Sequence, residues 1–425
     1  MSACLEFIDS HEEDIVQTLR ELVAVETTNP YSGDRNPAGE AGGQKVLREM
    51  LEELNPSAIH EFDCPDDIYQ RMNVLGPENR QFAGRPNLVA EFDFGQDGPT
   101  VVVNGHMDTV GIDNMTIDPL AGRVEDGKVW GRGTSDCKGG LTIGLWAIKA
   151  LLAEATDLRG RIYFESVVDE ECNGSGAGTL ACIDRGFRGD VAIFVDGYDG
   201  AITRGCYGCL TAQVDVEGKE GHAAYGTGVS ALEKALVVKQ AIDRFKAARE
   251  ERYPDARVNI GVFTAGTHPA VVPGHAQMQL NIVYRLEDAR AAQEAGHPWG
   301  AALVREKFLQ FVSQAAEQDE WLAAHPPATT WIKDLIPFEE SADSPWLERL
   351  QDAHEQAVGE AAKIDFMIGW TDASYYSALA GVPTFLIGPA ASGKAHTPDE
   401  YVEIAALLRS AKTLALFVFE LLSGA

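Results

Sequence analysis

Val101-Val102-Val103-Asn104-Gly105-His106-Met107-Asp108 decides how the rest of this chain is read. Three successive β-branched residues suit a buried strand. The run then delivers an imidazole and, two residues later on the same side of the chain, a carboxylate. His106 so placed can bind a metal while Asp108 orients its ring. A core histidine followed by a strand-end cap is the alternative.

Four further segments repeat the theme of an apolar element ending in a hard or borderline metal ligand. Trp130-Gly131-Arg132-Gly133-Thr134-Ser135-Asp136-Cys137-Lys138-Gly139-Gly140 is a glycine-rich turn running into a helix, with Asp136 at its centre. It lacks the G-x-x-x-x-G-K-[ST] order of a phosphate-binding loop. Phe164-Glu165-Ser166-Val167-Val168-Asp169-Glu170-Glu171 is a strand ending in three carboxylates. Crowded acids are unfavourable at a sheet mouth without a cation, although a solvated charge run is the bland reading. Ala192-Ile193-Phe194-Val195-Asp196 again ends an apolar strand in an acid, and Ala395-His396-Thr397-Pro398-Asp399-Glu400 places a histidine before a C-terminal helix. His106, Asp136, Glu171, Asp196 and His396 form a donor set suited to two borderline cations sharing one carboxylate.

Outside these segments, Leu5 to Val23 and Gly43–Leu54 carry helical apolar spacing. The β-rich runs Asn87–Phe92, Thr100–Asn104, Arg161–Val168 and Val191–Val195 surround an apolar helix at Gly139–Leu152. Alternating strands and helices predict an α/β layered domain with a largely parallel sheet. After Gly205 the rhythm becomes β-α-β-β-α-β, the order of a ferredoxin-like unit. From about Pro345 the α/β style resumes, closing on a helix from Glu400 to Leu422. At 425 residues two domains are expected, one inserted in the other: 1–206 and 334–425 forming one, 207–333 the insert.

The net charge of −30 disfavours nucleic acid and anionic membranes as partners. The N-terminal residues have no basic-then-apolar leader pattern, and no apolar run reaches 18 residues. Seven scattered cysteines, Cys4, Cys64, Cys137, Cys172, Cys182, Cys206 and Cys209, read as reduced thiols, which places the chain in the cytoplasm. Cys206 and Cys209 form a lone C-x-x-C with no second pair, for which a zinc knuckle or a redox pair is the less favoured reading.

The segments GHMDTV, GRGTSDCKGG, DEECNGSGAG and AHTPDEYVEI, in this order, resemble the metallo-exopeptidase and deacylase family of acetylornithine deacetylase, succinyl-diaminopimelate desuccinylase and glutamate-releasing carboxypeptidases. The resemblance implies a zinc-exopeptidase-like mixed sheet flanked by helices, with the inserted unit as a lid and dimerisation domain. It implies two divalent metals, zinc first and manganese or cobalt as alternatives. Asp136 would bridge them, His106 and Asp196 would hold one, and Glu171 and His396 the other. Glu170 corresponds to the family's general base, Asp108 to the partner of the His106 ring, and the Asp136–Cys137 peptide to a cis bond. His222, in Gly218-Lys219-Glu220-Gly221-His222-Ala223-Ala224, corresponds to a histidine that reaches a neighbouring site in dimers and binds the developing oxyanion. Arg285 corresponds to an arginine that pairs with a substrate carboxylate, a surface salt bridge being its alternative. Thr371, Asp372 and Gly388 lie in loops that resemble substrate-positioning loops.

The chain departs from that pattern where Ala270 replaces an amide in Gly266-Thr267-His268-Pro269-Ala270-Val271-Val272-Pro273. The expected activity is hydrolysis of the amide C–N bond of a small carboxylate-bearing substrate such as an N-acyl amino acid, by a water whose proton Glu170 accepts, with Ser135 and Thr134 not acting as nucleophiles. An exopeptidase, or an enzyme removing an amino group from an aromatic amino-acid-like amine, uses the same groups. A protein that keeps the fold without catalysis is the non-enzymatic alternative.

Overall fold

The computed structural model describes residues 2–95, 97–171 and 174–423; Cys172 lies outside them. The three valines do form the heart of the molecule. The strand Thr100–His106 is buried from Val101 onward and pairs in parallel with Arg161–Val167 on one side and Val191–Phe194 on the other. Thr384–Leu386 continues the parallel block beyond Val191–Phe194. Towards one edge, Pro86–Asp93 and Ala58–Asp63 join antiparallel, and towards the other lie Ile202–Cys206, Phe338–Glu339 and Ile364–Met367, giving a nine-stranded mixed sheet. The sheet is thus mixed, with parallel pairs at its centre and again where Ile364–Met367 joins Ile202–Cys206. Its outer strands, notably Ala58–Asp63 with one buried residue, are too short or too polar to announce themselves by pattern.

One face carries the buried helix Lys138–Glu154, covered in turn by Ile404–Leu422, Pro345–Val358 and the N-terminal helices Ser2–Ser10 and Glu12–Val23. The expected single N-terminal helix is broken at His11, whose backbone N–H bonds to Ile8 and whose ring lies on the Phe7 carbonyl. The opposite face is packed by Ala177–Asp184 and Ala373–Ala378.

A correction concerns the C-terminal helix, which begins at Ile404 rather than Glu400. Tyr401–Glu403 is a strand paired with Lys128–Trp130, itself paired with Arg123–Glu125. Val402 is buried while its neighbours face outward, the period of a strand. This small sheet fixes the chain after His396 beside the turn that carries Asp136.

A second sheet of four antiparallel strands, in the order Val258–Ala265, His275–Tyr284, Gly208–Glu217, Ala328–Leu335, has its own apolar core beneath helices Ala231–Arg252 and Ala302–Ala316. The chain passes through it in the order β-α-β-β-α-β, with a further short helix, Leu286–Glu294, before the last long one. Its final strand runs on to Leu335.

Glycines fix how closely helix and sheet approach. A Cβ on Gly140 would stand 2.1 Å from the Val195 carbonyl oxygen and 2.8 Å from Cys137 Sγ, in the layer under Asp196. Gly140→Ala is therefore expected to destabilise by about 1–3 kcal/mol through overpacking, despite alanine's better helix propensity. Gly261→Ala, where the nearest atom is 3.7 Å away, leaves stability unchanged. Denaturant unfolding of the two variants checks this, and equal stabilities would contradict it.

Candidate metal centre

The parallel pairing brings three chain ends to one edge of the sheet. His106 closes its strand, the Asp169–Glu171 run follows Val167, and Asp196 follows Phe194 by two residues. Ligands bind at such carboxyl ends in open α/β sheets. Asp136 enters from the turn before the helix Lys138–Glu154, and His396 from the loop that the strand Tyr401–Glu403 anchors. Asp136–Cys137 is a cis peptide, and His396 has a positive φ of 63°.

The five expected ligands converge. Asp136 Oδ1 lies 3.0 Å from His106 Nε2, and its Oδ2 lies 3.2 Å from His396 Nε2, which is also 3.0 Å from Glu171 Oε1. One carboxylate thus faces two imidazoles with different oxygens. Donor atoms around one tetrahedral zinc stand about 3.4 Å apart, so these spacings fit ligands of a shared ion as well as hydrogen bonds. Asp196 completes the side nearer His106, with a carboxylate oxygen within 4.8 Å of a ring nitrogen. Its Oδ1 is buried with no hydrogen-bond partner among the described residues. A buried carboxylate oxygen left unsatisfied in a cluster of acids is a place for a cation. The donor set, two imidazoles and three carboxylates, is one that divalent zinc accepts.

Electrostatics agree with that fit. Burial, compounded by neighbouring carboxylates, pushes both Glu170 and Asp196 well above the usual carboxyl range. Burial would raise Asp136 too, yet its hydrogen bonds to His106 and His396 hold it below its ordinary value. His396, hydrogen-bonded to Asp136 and Glu171, is pushed up to about 11.

His106 Nδ1 lies 2.9 Å from the Asp108 backbone carbonyl, to which it donates in the tautomer that leaves Nε2 free for a ligand. The Asp108 carboxylate is 3.7 Å from the ring. It instead accepts the Glu171 N–H at 2.9 Å, the Glu170 N–H at 3.3 Å and the Asn29 amide at 2.8 Å. Glu170 itself is half-buried beside the cluster.

Cys137 also lies within ligand reach of His106 and Asp196. Burial raises its thiol well above the ordinary value, and it packs towards the Val195 carbonyl. Ser135 Oγ is engaged with the Tyr401 carbonyl and the Ala391 N–H, and Thr134 Oγ1 with the Gly131 carbonyl. Asp372 is buried and accepts from Thr179 at 2.5 Å. Thr371 is buried beside it. Gly388 lies where a Cβ would be 2.4 Å from the Gly197 backbone, so the loop after Thr384–Leu386 can press against the Asp196 loop.

Two expected site residues stand apart from this cluster. Arg285 pairs with Asp255 at 3.0 Å and Glu287 at 3.2 Å, its guanidinium near the rings of Tyr207 and Tyr253. His222 is exposed on the two-residue strand Gly221–His222, which pairs with Val271–Val272 in a small sheet separate from the four-stranded one, its ring against Tyr225.

Pattern reading missed two residues that hold the Asp136 turn and Asp108 in place. Glu400, fully buried, accepts the Ser135 and Asp136 N–H groups at 2.9 and 3.2 Å with one oxygen and Arg132 at 2.7 Å with the other. Asn29 reaches Asp108 from an N-terminal loop. A buried acid inside the motif around His396 was the available signal for Glu400; Asn29 had none.

The model of Peptidase family M20/M25/M40 matches residues 102–420. The chain is 28% identical over 451 residues to an N-formyl-4-amino-5-aminomethyl-2-methylpyrimidine deformylase of Halalkalibacterium halodurans, covering 98% of this chain and 96% of that one. It is 26% identical to an acetylornithine deacetylase of Klebsiella pneumoniae over 75% of this chain and 78% of the relative. Its fold matches the dipeptidase Dug1p of Saccharomyces cerevisiae with a TM-score of 0.75 at 16% identity, across 100% of this chain and 98% of that one. Because the matched span runs from the central strand through His396 into the last helix, it takes in every group that converges on Asp136. The chain belongs to peptidase family M20/M25/M40 and is a metal-dependent hydrolase of amide C–N bonds.

Proposed function

We propose that this protein removes a short acyl group from a small amine, with His106, Asp136 and Asp196 holding one divalent cation and Asp136, Glu171 and His396 a second. The observation that carries this reading is Asp136, whose two oxygens face two different histidines. Cations held there would polarise the scissile carbonyl and make a water more acidic. Glu170, half-buried and held by its N–H on Asp108, accepts the proton of the attacking water and returns it to the leaving amine. Burial and nearby like charges raise the proton affinity of Glu170, which suits a carboxylate that must take a proton from water and then hand it on. Zinc is the first choice, since the donors mix imidazole with carboxylate.

Similarity over nearly the full chain to deformylases of an aminomethylpyrimidine favours an N-formyl or similarly small N-acyl substrate. Arg285, already satisfied by Asp255 and Glu287, gives no reason to require a substrate carboxylate. The acetylornithine deacetylase and desuccinylase likenesses favour N-acyl amino acids as the second reading. Thr371, Asp372 and Gly388 would shape the floor of the substrate site. Turnover of N-formyl-4-amino-5-aminomethyl-2-methylpyrimidine, N-acetylornithine, N-succinyl-diaminopimelate and simple dipeptides by the zinc-loaded enzyme separates the readings. The first predicts the highest kcat/KM for the formylated pyrimidine. Turnover of the amino-acid derivatives alone would overturn it.

His222 would serve the site of a second subunit. Its exposure supports this, as do Val262 and Phe263 on the edge strand and Leu232 and Leu236 on the neighbouring helix, all outward-facing. Six free cysteines among the described residues fit a cytoplasmic protein, and no helix there is long and apolar enough to cross a membrane. Glu170→Gln should lower kcat by about 10²–10⁴-fold, and His222→Ala should also impair turnover. Mixing and reassociating the two inactive variants should restore activity, because a hybrid dimer contains one complete site. No recovery despite exchange of subunits would exclude the shared site.

A further inference from the structure

Next to the cluster lies a second buried charged group that the hydrolysis as derived does not use. The Arg85 guanidinium, 7% exposed, grips the fully buried Glu40 with two bonds, Nε to Oε2 at 2.9 Å and Nη2 to Oε1 at 2.5 Å. The same Nη2 reaches the fully buried Asp169 Oδ1 at 3.1 Å, and Tyr69 donates its hydroxyl to Asp169 Oδ2 at 3.1 Å. Asp169 is the residue before Glu170, and its backbone is left-handed, with φ of 68°. Outside glycine that conformation is uncommon and persists where surrounding contacts fix it. The Asp169 carbonyl is held too, by the Gly176 N–H at 3.0 Å.

The left-handed turn has a consequence for the next two residues. It directs the Glu170 and Glu171 N–H groups to one carboxylate, Asp108, while their side chains take different tasks. Asp108 holds the two N–H groups, and Arg85 and Tyr69 hold the preceding side chain. A lysine could supply the charge but not the fork that spans Glu40 and Asp169 together.

We propose that Arg85, through Asp169, is a positioning residue that sets Glu170 for proton transfer; this rests on the reading of Glu170 as the base. The test is a double-mutant cycle on the metal-loaded enzyme: kcat and KM for the native protein, Arg85→Lys, Glu170→Gln and the pair, with thermal unfolding to confirm folding. Tyr69→Phe, which removes one bond to Asp169 and no charge, replaces Arg85→Lys if that variant does not fold. The expected result is a fall of about 10–100-fold in kcat with KM little changed, and no further loss when the substitution is added to Glu170→Gln. Bound cobalt, read by its visible absorption, should also shift in Arg85→Lys because Glu171 shares the turn. Native kcat in the substituted protein, or a full additional loss in the double variant, overturns the proposal. Native activity in Glu170→Gln alone would instead overturn the assignment of the base.

Discussion

Negative charge gathered in a poorly hydrated place is the constraint around which this protein is built. Asp136, Glu170, Glu171, Asp196 and Asp372 crowd a region with two imidazoles in reach. Such a group of acids is tolerable when cations compensate it and when each carboxylate is held in a fixed direction. The fold supplies the second condition. Parallel strands deliver His106, Glu171 and Asp196 to one edge, while Glu400 and Arg132 clamp the turn that presents Asp136. Asp108 holds the Glu170 and Glu171 N–H groups, and Arg85 holds Asp169 just before them.

The second sheet is also tied to this segment. In the strand Ala328–Leu335 the register shifts between Trp331 and Lys333. A bulge of this kind re-aims a side chain. Lys333 is buried and donates to the Gly174 carbonyl, in the loop just after Glu171, and the Asp334 N–H binds the Leu75 carbonyl. The segment bearing Glu170 and Glu171 is therefore tied to residues from both sheets.

Much of this was readable in the chain because strand period and terminal residue type are local signals. Val101–Val103 followed by His106, and Ala192–Val195 followed by Asp196, announce both a buried strand and what it delivers. What stayed hidden depends on partners far away in sequence. Glu400 and Arg132 are 268 residues apart, and nothing local marks them as a pair. Tyr401–Glu403 read as the start of a helix because its strand partner, Lys128–Trp130, lies as distant. Arg285 could be read as a site cation or a surface pair; Asp255, thirty residues earlier in the chain, ties it into ion pairs away from the cluster.

The shared carboxylate of Asp136 is tested most directly by a crystal structure of zinc-loaded protein, with anomalous scattering recorded at the zinc edge. The account predicts two zinc peaks per chain, one touching His106 and Asp196, the other Glu171 and His396, with an oxygen of Asp136 on each. A single peak, or two peaks of which only one is bound by Asp136, would contradict it.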